Sequence, residues 1–122
     1  METDTLTVQK ASEFTGLSAH TLRYYERVGL LEPVARNSGG HRRYAQTDLE
    51  HLMFLHCLRD TGMSIQRMQA YAALVSQGRA TLDTRLELLE SHKRDVQARI
   101  QELNGKLAII DAKINRFKQA GS

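Results

Sequence analysis

From Leu82 onward, apolar residues recur in alternating steps of four and three: Leu82, Leu86, Leu89, Val96, Ile100, Leu103, Leu107, Ile110, Ile114 and Phe117, interrupted only by Lys93. That heptad spacing predicts one helix of about 36 residues, roughly 54 Å long. The rest of the chain is too small to cover a seam of that length, so the seam is expected to pair with a second copy in a homodimer. Lys93 costs stability in the seam and can set its register. Gly105 lies off the seam, where it costs about 1 kcal/mol relative to alanine and permits a bend. The pattern leaves parallel and antiparallel pairing open.

The N-terminal half reads as short helices joined by turns. Val8, Ala11, Phe14 and Leu17 fall at helical spacing, with Thr7 as N-cap and Gly16 as the turn. Ser18 or Ala19 opens a second helix that Gly29 closes. Two short helices joined by a tight turn predict a helix-turn-helix, whose second helix offers its N-terminal residues to the DNA major groove. Leu22 and Val28 then face inward and Thr21, Arg23, Tyr24 and Arg27 face DNA, while the facing of Tyr25 is open. Leu30, Leu31 and Val34 are strand-like, Asn37-Ser38-Gly39-Gly40 tolerates positive φ, and His41 to Tyr44 reads as a returning strand.

Two more helices follow. Thr47-Asp48-Leu49-Glu50 is a capping-box pattern that predicts a helix to about Thr61, ended by Gly62. Its apolar residues, including Leu49, Met53, Phe54, Leu55, Cys57 and Leu58, fit no narrow stripe and predict packing on more than one side. A further helix begins after Ser64 and carries Ile65, Met68, Ala72 and Val75 on one face up to Gln77-Gly78. The fold class is therefore mainly α: a winged helix-turn-helix head with a small β-hairpin wing, a helical linker, and a long C-terminal coiled-coil dimerisation helix. The head with its linker occupies residues 1–76 and the dimerisation helix residues 80–118.

Charge changes the picture more than composition does. At 122 residues the chain has room for one small core plus one extended element. The net charge is +3, and from His20 to Tyr44 five arginines stand against two glutamates, interleaved with three tyrosines. Arginine forks hold phosphate or guanine edges, and tyrosine hydroxyls bond phosphate, so the expected partner is double-stranded DNA. The assigned wing residues are Arg36, Asn37, His41, Arg42, Arg43 and Tyr44. No apolar run is long enough to span a membrane and METDTLT is unlike a signal peptide, so a cytoplasmic location is expected. There is no paired acid and base, phosphate-cradling glycine loop or nucleophile motif, so no enzyme and no cofactor is expected.

The run Thr21-Leu22-Arg23-Tyr24-Tyr25-Glu26, then Gly29-Leu30-Leu31 and Arg42-Arg43-Tyr44, resembles the winged-helix signature of the MerR-type bacterial transcription regulators. The likeness continues through Gly62-Met63-Ser64-Ile65 into the terminal helix. It implies that Arg23, Tyr24, Arg42, Arg43 and Tyr44 contact DNA or support those contacts. It further implies antiparallel pairing of the long helices, and a palindromic promoter with an over-long spacer that is twisted so that RNA polymerase engages. The rival reading is a DNA-bending protein of the excisionase kind, with no effector.

Cys57 is the single cysteine. It reads either as a small buried apolar side chain or as a reactive thiol. Met53, Phe54, Asp60 and Thr61, its helical neighbours, would not stabilise a thiolate, and His56 and Arg59 point elsewhere on the helix. The resemblance to the short, single-cysteine branch of the family implies an aldehyde, electrophile or oxidant sensed at Cys57. His51, His56 and Cys57 share no helical face, so no metal site is expected. Nor is a drug-sized pocket, because family members that bind such ligands carry an added C-terminal domain.

Overall fold

The computed structural model describes residues 5–31, 39 and 43–121. In chain order these form β1 (Thr5–Leu6), α1 (Val8–Thr15), α2 (Ala19–Arg27), β2 (Tyr44–Ala45), α3 (Gln46–Asp60), α4 (Ile65–Ser76), a 3-10 turn (Arg79–Thr81) and α5 (Leu82–Ala120). The architecture is mainly α, as expected. The chain divides into two units, Met1–Arg85 and Leu86–Ser122.

Local chemistry accounts for the helix-turn-helix. The Thr7 hydroxyl accepts from Lys10 N at 3.2 Å and opens α1. Gly16 at φ 76° closes that helix in the left-handed region, where a side chain would be strained. The Ser12 hydroxyl donates to Leu17 O at 2.6 Å and fixes the turn. Ser18 is the N-cap of α2, its Oγ accepting from Thr21 N at 3.1 Å, so Ala19 is the first helical residue. Leu22 is buried as expected and Val28 is half-buried.

The observed sheet is not the expected wing. β1 pairs antiparallel with β2, Thr5 opposite Ala45 and Leu6 opposite Tyr44. Arg43 clamps the pair, donating from Nε to Thr5 Oγ1 at 3.1 Å and from its guanidinium to Thr5 O at 2.9 Å. Leu30 and Leu31 are buried and outside any strand. Val34, Arg36, Asn37, Ser38, Gly40, His41 and Arg42, on which the rest of the wing expectation falls, lie outside the described residues.

The sheet also explains why the capping box fails. β2 runs straight into α3, which begins at Gln46 with Ala45 as N-cap and no side-chain cap bond. Backbone pairing with β1 fixes the helix entry, so the local Thr47 signal is overridden. Leu49, Leu52, Leu55 and Leu58 are buried, whereas Met53, Phe54 and Cys57 are exposed. At 100° per residue the buried set spans about half the circumference, so within the chain α3 packs through one broad face rather than on several sides. Gly62 at φ 105° reverses the chain, with Met63 N donating to Leu58 O at 2.9 Å. Ser64 then caps α4 through Arg67 N.

The core of the first unit closes on itself: Ala11, Leu22, Tyr25, Tyr44, Leu49, Leu52, Leu55 and Met68 have no exposed surface. Beyond α4, the Thr81 hydroxyl contacts the carbonyls of Leu74 at 2.6 Å and Gly78 at 2.8 Å. Arg85 Nε donates to Thr81 Oγ1, and its guanidinium to Gly78 O, which fixes the start of α5.

α5 is one unbroken helix of 39 residues that runs through Gly105. Its length is about 58 Å. Leu103, Leu107, Ile110 and Phe117 are 52%, 53%, 55% and 68% exposed, so the seam is an apolar stripe without cover in the single chain. Ile109, off the seam, is also exposed. Among the described residues no helix is long and apolar enough to cross a membrane.

Candidate nucleic-acid interface

α2 has two chemically distinct faces. Leu22 and Tyr25 are fully buried and hold the helix to the core. His20, Arg23 and Arg27 are exposed, with Thr21 and Tyr24 half-buried beside them. The Thr21 hydroxyl accepts from Ser18 Oγ at 3.0 Å, which places Thr21 at the open N-terminus of α2. Free amide groups and the helix dipole there favour anionic phosphate.

Tyr24 organises the cationic side of the helix. The Arg27 guanidinium carbon lies 5.4 Å from its ring centroid and that of Arg59 lies 5.8 Å away, both in cation–π range. Arg59 comes from the last turn of α3 and was not among the residues expected from sequence. Only the packing of α3 on the helix-turn-helix brings it to Tyr24, and no local spacing encodes that. With Arg23 it enlarges the patch available to a polyanion.

Tyr25, whose facing the sequence left open, points inward. Its hydroxyl and His56 Nδ1 are 2.8 Å apart, and His56 Nε2 is 3.5 Å from Asp60. A proton on Nε2 facing Asp60 leaves Nδ1 to accept from Tyr25. This bond ties α2 to α3.

Two wing assignments change. Tyr44 is fully buried and has no surface to offer DNA, because it sits in β2 against Leu6. Arg43 is half-buried and spends two donors on Thr5. Supporting the contacts, the other role the resemblance allows, is the one this geometry fits. Arg36, Asn37, His41 and Arg42 fall outside the described residues.

Cys57 is exposed rather than packed as a small apolar residue. It lines a cleft of about 220 Å³ with Thr15, Leu17, Met53, His56 and Asp60. His56 therefore shares the thiol's cleft, although the helical wheel separates them; its two nitrogens are directed at Tyr25 and Asp60. The expectation of no drug-sized pocket does not hold. A cleft of about 540 Å³ opens between Gly29, Leu30 and Leu31 beyond α2, the first turns of α3, and α4. It is lined in part by His51, whose pKa burial lowers from 6.5 against a smaller raising effect of Asp48. Among the described residues no group of three or more His, Cys, Asp or Glu is placed to hold a metal.

Known proteins share both sequence and fold with this chain. Residues 6–74 match the family described as MerR HTH family regulatory protein, and residues 49–111 match MerR, DNA binding. An uncharacterized HTH-type transcriptional regulator of Haemophilus influenzae is 38% identical over 116 residues, 95% of this chain and 86% of the relative. The crystal structure of HiNmlR, a MerR family regulator lacking the sensor domain, bound to promoter DNA, superposes with a TM-score of 0.85 at 38% identity, covering 96% of this chain and 93% of that one. A MerR family transcriptional regulator from Bacillus thuringiensis gives a TM-score of 0.82 at 28% identity, covering 93% and 99%. With family matches across most of its length and relatives that are transcription regulators, the chain belongs to the MerR family of helix-turn-helix, DNA-binding transcription regulators.

Proposed function

We propose that the protein binds a palindromic promoter as a homodimer, distorts the DNA, and switches transcription by RNA polymerase in response to a reactive small molecule at Cys57. The observation that carries this reading is the α2 face on which Arg23, Tyr24 and Arg27 are joined by Arg59 while the opposite face is buried. Residues 1–76 serve as the reading head and 80–118 as the dimerisation helix, and the protein acts in the cytoplasm, where promoter DNA is. Bending or untwisting a site costs on the order of 1 to 6 kcal/mol. A long helix that fixes the separation of two heads supplies the lever. The DNA-bound relative HiNmlR lacks a sensor domain, so an input placed within the head is economical.

At Cys57 the thiolate adds to the carbonyl carbon of an aldehyde, a C–S bond forms, and the carbonyl electron pair goes to oxygen, which takes a proton. The adduct enlarges a side chain that shares its cleft with His56, and His56 holds Tyr25 of α2. The strain reaches the reading helix in two contacts.

Footprinting and transcription on the promoter of its own gene and its neighbours test this. The expected result is a discrete two-fold protected site and an aldehyde response that Cys57→Ser abolishes without loss of binding. Arg59→Ala should lower the slope of log affinity against log salt by about one. A response that survives Cys57→Ser would refute the sensing role, and the absence of any discrete protected site would refute the promoter reading itself.

A further inference from the structure

The larger cleft of the head shares no lining residue with the cleft of Cys57. At about 540 Å³ it lies within the roughly 300 to 1,000 Å³ range of pockets that hold small organic ligands. Leu30, Leu31 and Ala72 are themselves buried and give it an apolar wall. The small side chains of Ala73 and Ser76 leave the space open on the α4 side.

Its polar groups are selective in sign. Asp48 contributes a carboxylate from the first turn of α3, and no lysine or arginine lines the cleft among the described residues. His51 stacks at 6.5 Å on Tyr71 and burial favours its uncharged form, so it offers hydrogen bonding without a positive charge. Among the described lining residues an anion would meet Asp48 with no cation to compensate it. A cation with an apolar body satisfies both the carboxylate and the wall.

We propose that this cleft is a noncovalent binding site for small organic ammonium compounds, held by the Asp48 carboxylate over the apolar wall of Leu30, Leu31 and Ala72. Its position gives binding a route to DNA. Gln69, also in the lining, donates from Nε2 to Val28 O at 2.8 Å and so ties α4 to the C-terminal turn of α2. A ligand wedged beside that bond acts on the end of the reading helix. That consequence rests on the DNA-binding reading above; the binding itself does not.

The test uses the full-length protein and three probes of one shape: benzylammonium, benzyl alcohol and benzoate. Side-chain NMR of the histidines is followed during each titration. Benzylammonium should shift the His51 resonances and bind about fivefold or more tightly than benzyl alcohol, with benzoate weakest. Asp48→Asn should remove the preference for the cation and leave the alcohol unchanged, and Ala73→Leu should fill the cleft and weaken both. His51 resonances that no probe moves, benzoate binding as well as benzylammonium, or a cation preference that persists in Asp48→Asn would each overturn the proposal. Promoter binding without any probe is measured in parallel, so that failure of the cleft and failure of the regulator reading are told apart.

Discussion

The two units of this chain treat their leucines in opposite ways. In Met1–Arg85, Leu22, Leu49, Leu52 and Leu55 have no exposed surface and their core is complete within the chain. In Leu86–Ser122, Leu103, Leu107 and Ile110 leave more than half their surface in water along one helix. Burying such a side chain is worth about 1.5 to 3 kcal/mol, so the first unit has realised its hydrophobic stabilisation and the second holds it in reserve. In proteins most of a helix's stability comes from packing its apolar face, and within the single chain that face of α5 is left in water. The first unit is thus stabilised by itself, while the second is expected to draw its stability from a partner.

The sharpest break of that contrast is a charge in the seam. Leu103→Lys combined with Leu107→Lys should weaken dimerisation by on the order of 4 kcal/mol or more, about a thousandfold, while leaving the helical signal and core of the head in place. Sedimentation against concentration, with circular dichroism alongside, reads both effects. If the head unfolds with the dimer, the units are not independent in the sense claimed. Next comes Leu52→Ala, expected to destabilise the head by about 3 kcal/mol in denaturant melts, independently of protein concentration. A concentration-dependent loss there would place Leu52 in an interface.

Smaller effects sharpen the same contrast. Gly105 has nothing within 4 Å of where a Cβ would stand, so Gly105→Ala should stabilise α5 by up to about 1 kcal/mol and raise the melting temperature of the full chain. A fall in melting temperature would show that glycine is needed where the chains meet. The smallest effect is a pH dependence confined to the head. His51 stacks on the Tyr71 ring, and burial lowers its pKa against a smaller raising effect of Asp48, so the unfolded chain takes up a proton more readily. The stabilisation is full above about pH 6.5, the unfolded value, and is lost as pH falls below it. His51→Gln should flatten that limb of the stability curve; an unchanged slope would remove His51 as its cause.

What could be read in the sequence follows how local each signal is. Thr7, Gly16, Ser18, Gly62 and Ser64 act on backbone atoms within a few residues, and each ends or begins a helix as expected. The heptad from Leu82 was equally legible, because one helix face needs no knowledge of the rest of the chain. Thr47 misled because β2 pairs with β1 across nearly 40 residues, and that pairing sets where α3 begins. The same pairing buries Tyr44 and occupies Arg43, two residues that charge, aromatic content and the family resemblance assigned to DNA contacts or their support. Arg59 and the inward turn of Tyr25 depend on how α3 packs on α2, which no spacing within either helix specifies. The larger cleft was missed for a related reason: its walls come from three segments, and its emptiness depends on Ala73 and Ser76 being small.

The most direct test of the account is the mass of the native full-length chain by sedimentation equilibrium at micromolar concentration. The expected species has twice the 13.8 kDa chain mass. A 13.8 kDa monomer that stays folded across that range would contradict it, because the exposed seam of α5 would then have no partner and the two heads no fixed separation on DNA.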